Sequence, residues 1–301
     1  MEEKIFQYPN INETAFSINL LGLHLNVQWY GLSYIAGILL AWFFMARLVK
    51  NKDLWFAGHS VIERDDVDDL ITYMIVGIIV GGRLGYCLFY APGYYFENPM
   101  KAIYVWEGGM SFHGGFLGVF ISGVLFGVRK KINLLSLGDL IAFASPPGLF
   151  FGRIANFINA ELWGKPTTSI FGIQFTKGQG QFCPNLDDTP CFRHPSQLYE
   201  AFFEGIVLML IFYYLVFVFK AFKKPGLIFG SFLLGYGIIR FSIEFVREAD
   251  TFFITSENPY GYIFQLVPGI GISMGQLLTV PMIAFGFFMI LFVSKRNLDE
   301  N

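Results

Sequence analysis

The sequence predicts an all-α polytopic membrane protein of about seven transmembrane helices with a small exported cap domain. Three observations carry that expectation. Of 301 residues, 54% are hydrophobic and only 15% are charged, against about 25% charged in an ordinary soluble domain. Mean hydropathy is +0.51. The apolar residues fall in long blocks, among them Gly31 to Ala46, Ile71 to Val80, Phe202 to Phe219 and Gln276 to Val293. Several approach the roughly 20 residues needed to cross a hydrocarbon core of about 30 Å.

The chain begins with a polar arm, residues 1–26, expected to be exported. It lacks the basic and short apolar regions of a cleavable signal, so nothing is expected to be removed. Residues 27–158 hold four spans, expected near 28–49, 70–91, 110–128 and 138–158. The third is short and Gly-rich. Its Gly114, Gly115, Gly118 and Gly123 also suit the close helix packing that membrane interfaces favour. Residues 159–197, rich in Gly, Pro and Thr, read as the exported cap. Spans five and six lie in 198–246, near 198–219 and 227–246, followed by a second exported loop over 247–273. The last stretch, 274–301, holds span seven near 274–294 and a cytoplasmic tail. The acidic run from Glu63 to Asp69 reads as a solvated helix start. There is no internal repeat of the kind transporters often carry.

Lys and Arg in the connections set the orientation. One set of loops carries twelve: Arg47, Lys50, Lys52, Arg64, Arg129, Lys130, Lys131, Lys220, Lys223, Lys224, Lys295 and Arg296. The other, longer set carries six: Lys4, Lys101, Lys165, Lys177, Arg193 and Arg247. The N-terminus is therefore expected outside and the C-terminus in the cytoplasm. A net charge of −2 gives no reason to expect nucleic acid as a partner. Three scattered cysteines make neither a disulfide framework nor a zinc site, and no cluster has ligand spacing. No metal and no cofactor is expected.

Charges inside spans are costly and mark function. Arg83 falls in the second span, Arg153 in the fourth, and Arg240 with Glu244 in the sixth; His113 opens the third. The arginines come about 13 to 15 residues after the cytoplasmic starts of their spans, roughly 20 Å up at 1.5 Å per residue. His113 enters at the same level from outside. Arg83, Tyr86 and Tyr90 share a helix face, as do Tyr236, Arg240, Glu244 and Arg247, and Arg153 with Asn156 and Asn159. An Arg240–Glu244 pair alone would read as helix glue. Three arginines against one clear carboxylate leave positive charge in surplus, which a phosphate would satisfy. An anion site in the outer half, facing lipid, points to a phospholipid head group. Placement alone does not separate a lipid transferase from a lipid phosphatase or an anion transporter.

The motifs themselves are more specific. They are Gly81-Gly82-Arg83-Leu84-Gly85-Tyr86 with Phe89-Tyr90, Gly109-Met110-Ser111-Phe112-His113-Gly114-Gly115, the run from Phe151 through Arg153, Asn156 and Glu161 to Gly164, Arg193-His194-Pro195-Ser196-Gln197-Leu198-Tyr199-Glu200, Arg240 to Glu248, Ser273-Met274-Gly275-Gln276, and Trp29-Tyr30-Gly31. They resemble those of the bacterial prolipoprotein diacylglyceryl transferases over nearly the whole chain. The resemblance implies an enzyme of the cytoplasmic (inner) membrane with two partners, phosphatidylglycerol and a prolipoprotein signal peptide bearing a lipobox cysteine. The diacylglyceryl unit moves to the cysteine thiol, a thioether forms and glycerol phosphate leaves. It implies that Arg153 and Arg240 are essential, with His113, Asn156, Glu161 and Glu244 as functional partners. Tyr30, Tyr90 and Tyr236 stand at family-type positions.

Such a reaction needs a deprotonated thiol and a stabilised leaving phosphate. Arg153 and Arg240 are assigned to the phosphate, with Arg83 as an outer contact and Arg247, Asn159 and the three tyrosines lining the lipid site. His113 is the first choice for general base, since an imidazole titrates near neutral pH. Glu244 is the alternative, or a holder of Arg240. Glu161 would orient Asn156 or the acceptor. The rival reading is an anion or lipid transporter using the same arginines, which would want polar groups at several depths; in the cytoplasmic half only Asp139 offers one. Finally, Cys183 and Cys191 stand eight residues apart in the exported cap, around Pro184, Asn185, Asp187, Asp188 and Pro190. A disulfide is expected there, two free thiols being the alternative, and Cys87 is expected to stay unbonded.

Overall fold

The computed structural model describes residues 6–20, 23–183, 191–249, 253–255, 257–267 and 270–299. Residues 1–5 of the expected arm and the expected turn at 184–190 lie outside this set. Helices dominate: α1 Trp29–Lys50, α2 Arg64–Phe89, α3 Pro92–Glu97, α4 Phe112–Lys130, α5 Leu134–Ala144 and α6 Pro146–Ile158. After them come α7 Ser196–Glu200, a π-helical turn Ala201–Val207, α8 Leu208–Phe217, α9 Leu227–Ile243 and α10 Met274–Asp299. Five stretches are long and apolar enough to cross a membrane: Trp29–Lys50, Arg64–Phe89, Leu134–Ile158, Ser196–Phe217 and Met274–Lys295. They establish a helical membrane protein. Helices α4 and α9 fall where spans three and six are expected but are shorter, at 19 and 17 residues.

Local chemistry fixes the helix starts. Glu63 and Asp66 form a reciprocal capping box at α2, so the acidic run is the helix start expected of it. Lys130 at the end of α4 holds Asp66 at 2.5 Å. Asn133 caps α5 through the amides of Leu135 and Ser136. Pro146 and Pro147 open α6, where a missing amide costs nothing. Asp139, wholly buried on α5, accepts from the backbone amides of Gly226 (2.7 Å) and Phe229 (2.8 Å) and so caps α9 from a neighbouring helix.

Two helix pairs pack at glycine distance. A Cβ on Gly118 would lie 1.9 Å from the Gly77 carbonyl oxygen, and one on Gly81 would lie 2.3 Å from that of Gly114. The spacing of four residues puts these glycines on one stripe of α2 and one of α4. Of the four glycines singled out on α4, Gly114 and Gly118 serve this contact; Gly115 and Gly123 meet nothing closer than 3.7 and 3.4 Å. Helices α9 and α10 pair in the same way through Gly230 and Gly286.

The main apolar core gathers Met45, Leu48, Leu54, Trp55, Leu140, Phe143, Phe212 and Phe222 at one end of the bundle, with Trp55 stacked on Phe222 at 4.4 Å. A smaller core of Tyr8, Phe157, Ala160 and Phe175 lies at the end of α6. Over it run three short strands in the order β1 Phe6–Gln7, β4 Ile173–Gln174 and β5 Phe192–Arg193. The N-terminal arm thus pairs with the 159–197 segment rather than standing apart from it. Two antiparallel hairpins complete the fold: β2 Thr14–Leu20 with β3 Leu23–Gln28, and β6 Tyr262–Val267 with β7 Ile270–Ser273. Cys183 and Cys191 are joined, with Cα atoms 5.4 Å apart, and Cys87 is free and buried.

Candidate active site

Arg153 from α6, Arg240 from α9 and Arg247 just beyond α9 converge on Glu200. What meets them differs from the expectation. Two wholly buried carboxylates, Glu200 at the end of α7 and Glu204 in the π-helical turn, stand among the guanidinium groups. Glu200 lies 3.3 Å from Arg153 Nη1, 3.2 Å from Arg240 Nη1 and 3.7 Å from Arg247 Nη1. Glu204 Oε2 accepts from Arg153 Nε at 3.2 Å. Glu244 Oε2 lies 2.7 Å from Arg240 Nη1. Among the described residues Arg153, Arg240 and Arg247 therefore face three carboxylates, in place of the surplus expected from Arg83, Arg153 and Arg240 against Glu244 alone. Glu204 was hidden inside an apolar block, and Glu200 stood in a quoted motif without a role. The available signal was the pair itself, two acidic residues four apart where an apolar block begins.

The availability of donors, rather than net charge, is what the cluster offers an anion. The carboxylates occupy Arg153 Nε and Nη1 and Arg240 Nη1. They leave Arg153 Nη2 and the Nε and Nη2 of Arg240 outside every ion pair described. On Arg240 the remaining Nε and Nη2 form one edge of the planar fork, which matches a phosphate; on Arg153 a single donor, Nη2, remains.

Glu244 is held from both sides. Its Oε1 accepts from Ser273 Oγ at 3.0 Å, and its carboxylate lies against Gly275, where an added Cβ would come within 2.4 Å. The first turn of α10 thus abuts the carboxylate, a favourable end of a helix for an anion.

A second group adjoins this one through α6. Asn156 Nδ2 donates to Glu161 Oε1 at 2.7 Å and to the Tyr30 hydroxyl at 2.9 Å. Glu161 sits between two residues in left-handed conformation, Ala160 (φ 52°) and Leu162 (φ 55°). Side chains need support to stay in that region. It comes from the next motif: Gln197 Nε2 donates to the Glu161 carbonyl at 2.5 Å and Ser196 Oγ to that of Leu162 at 2.9 Å. Arg193, buried, ties the segment together by donating to the carbonyls of Gly164, Gly180 and Phe182 and to Glu248. Burial pushes the His194 imidazole below its ordinary value, and burial also lowers Lys165 against the opposing pull of Glu244 and Glu248.

Of the other expected site residues, Arg83, Tyr90 and His113 lie away from the cluster, whereas Tyr236 stays within electrostatic reach of Arg153, Arg240, Glu200 and Glu204. Arg83 does not join the arginine cluster. Its guanidinium donates to the carbonyls of Lys101 (2.7 Å), Ala102 (2.9 Å), Tyr104 (3.1 Å), Gly108 and Gly109 (3.1 Å). It therefore pins the 98–109 loop, and an outer contact to lipid phosphate is not where its donors point. Tyr90 stacks on Tyr86 at the end of α2 and is exposed. Tyr86 in turn packs on Gly109, whose positive φ and lack of a Cβ permit the contact. His113 is exposed in the first turn of α4, a helix packed mainly on α2 rather than on α6 or α9. Tyr236 lies one turn before Arg240 on α9 and stacks on Phe232. Asn159 is the C-cap of α6.

A family model described as prolipoprotein diacylglyceryl transferase matches residues 17–292. Among similar proteins are those named phosphatidylglycerol–prolipoprotein diacylglyceryl transferase from Cereibacter sphaeroides, 48% identical over 94% of this chain and 96% of the relative, and from Ruegeria pomeroyi, 46% identical over 96% and 97%. A relative of the same name from Rickettsia felis is 47% identical over 94% and 97%. The matched region contains both the arginine–carboxylate cluster and the Tyr30–Asn156–Glu161 group, and with that coverage the chain belongs to the prolipoprotein diacylglyceryl transferase family.

Proposed function

We propose that this chain transfers the diacylglyceryl group of phosphatidylglycerol to the lipobox cysteine thiol of a prolipoprotein. The observation that carries the reading is identity of nearly half the residues, across almost the full length, to proteins of that activity by name. In the reaction a C–S bond forms to the glycerol carbon, the C–O bond to phosphate breaks, and glycerol phosphate leaves with the electron pair. Arg153 and Arg240 hold the phosphate through their remaining donors and stabilise the charge it gains. Glu244, engaged with Arg240 and Ser273, holds Arg240 in place. His113 takes the thiol proton. Asn156 and Glu161 orient the acceptor, with Tyr30, Tyr236, Arg247 and Asn159 around the lipid, and Tyr90 at its outer edge.

The proposed topology has seven spans, the N-terminus outside, the cap and the 247–273 loop exported, and the site toward the outer leaflet of the bacterial inner membrane. Labelling of introduced cysteines in intact cells should reach 165–183 and 257–265 but not 129–133 or 220–225. Labelling at the latter two overturns the orientation. A transporter would use polar groups through the inner half as well; Asp139, the candidate there, is engaged in capping α9.

The direct test incubates purified protein with phosphatidylglycerol and a lipobox peptide, with mass spectrometry for thioether-linked diacylglycerol. Absence of product from correctly folded protein refutes the reading.

A further inference from the structure

Glu204, like Glu200 and Glu244 beside it, is a buried carboxylate with one oxygen lacking a hydrogen-bond partner among the described residues. Glu204 itself is wholly buried, and the oxygen is its Oε1. An apolar side chain would spare the helix that burden, since a buried charge with imperfect pairing carries a heavy desolvation penalty. Two independent features bring it to Arg153. The chain leaves α-helical geometry over Ala201–Val207, a π-helical turn of the kind found where helices serve a site. Next to it, Gly205 lets that turn lie directly on α6: a Cβ there would come 2.6 Å from Phe150 Cβ and 3.0 Å from Phe150 Cα. Phe150 is three residues before Arg153, so the approach closes the gap between the two helices where the ion pair forms.

We propose that Glu204 is a positioning residue of the transfer reaction, which fixes the Arg153 guanidinium by its Nε and thereby sets where its remaining donor, Nη2, meets the lipid phosphate. The atoms support a division of labour. Glu200 touches all three arginines, through Nη1 in each, and so gathers the cluster. Glu204 takes only Arg153, and takes it at Nε, the nitrogen that sets the plane and rotation of the fork. With Nε and Nη1 engaged on carboxylates, Nη2 is the one Arg153 nitrogen outside every ion pair described. Loss of Glu204 leaves Arg153 a single partner and a guanidinium able to turn toward Glu200. The phosphate then meets the same charge in the wrong orientation.

The proposal rests on phosphatidylglycerol being the donor, and the test separates the two. Steady-state transfer is measured for wild type, Glu204→Gln, Glu204→Leu and Gly205→Ala, varying phosphatidylglycerol and lipobox peptide independently, on samples shown to be monodisperse in detergent. Glu204→Leu should raise KM for phosphatidylglycerol at least about tenfold, as expected for a misdirected buried charge pair, with KM for the peptide unchanged. Glu204→Gln keeps an acceptor oxygen for Nε and should recover part of that loss. Gly205→Ala, which keeps the carboxylate but parts the helices, should shift the same KM in the same direction. A purely structural role lowers the active fraction and leaves both KM values alone, which would overturn the proposal, as would wild-type kinetics in Glu204→Leu. If Glu204→Leu does not fold, equal KM values for Glu204→Gln, Gly205→Ala and wild type overturn it. If wild type itself gives no thioether product, the functional reading fails instead.

Discussion

Asn156 donates its Nδ2 to Glu161 Oε1 at 2.7 Å, across the left-handed bend that ends α6. The same amide reaches the Tyr30 hydroxyl, so one side chain joins the start of α1, the end of α6 and the segment beyond it. Asn156→Asp replaces the donor by a carboxylate facing Glu161. Leaving buried partners unsatisfied costs about 1–3 kcal/mol, so transfer should fall about tenfold to a hundredfold. Glu161→Gln, which can still accept from Asn156, should be milder. Product yield by mass spectrometry decides it, and equal activity of Asn156→Asp and wild type removes the pair from the mechanism.

Arg153→Lys and Arg240→Lys keep a charge but not a fork. Each lysine offers three donors from a single nitrogen but not the planar pair of parallel N–H bonds that grips a phosphate. Both variants should fold, since Glu200 still finds a cation, and both should lose most of their activity, by about a hundredfold or more for a lost charge-assisted contact in the transition state. Near-normal turnover in either one excludes the phosphate role.

Arg83 should act through the loop that it pins. Arg83→Ala strips the donors from five carbonyls between Lys101 and Gly109. That loop leads directly into Ser111 and His113. The expected result is a lower kcat with KM for phosphatidylglycerol close to wild type, together with faster proteolysis in 98–109. A large rise in that KM would instead return Arg83 to the lipid site. His113→Asn should likewise retain lipid binding while slowing transfer; poor binding with normal turnover makes His113 a binding residue.

Cys183→Ser should release the 180–183 segment from β5. In the loop-closure model a bridge across eight residues contributes about 2–3 kcal/mol. The Arg193 bonds to Gly180 and Phe182 lie beside it, so the effect should be confined to this segment. Limited proteolysis and the melting temperature, with and without reductant, measure it; a reductant effect that persists in the variant assigns the sensitivity elsewhere.

His194 gives a pH dependence with a definite sign. Burial lowers its folded-state pKa below the ordinary 6.5. Below 6.5 the unfolded chain therefore binds more protons than the folded one, and stability falls as the pH drops from 6.5 through the folded-state value. The melting temperature should decline over that range and less so in His194→Gln. An identical decline in the variant places the titration on another group.

Much of this was legible in the sequence because it depends on neighbours along the chain. Apolar runs mark the five long helices; the capping box at Glu63 and Asp66 marks the start of α2; spacing of four puts Glu244 beside Arg240. The bridge between Cys183 and Cys191 needed only a short separation and turn residues. Tertiary structure decided which side chains meet across helices. Glu200 and Glu204 lie on a span whose mean hydropathy hides them, and their importance comes from Arg153 on α6 and Arg240 on α9. Arg83 shares a sequence depth with the other arginines, yet depth says nothing of direction, and its donors turn to a loop of its own helix pair. Asp139 reads as an isolated membrane charge until α9 is placed with its bare amides against it. In each case the cost of burying a charge is local, but the partner that offsets it is brought by packing, which no spacing along one helix encodes.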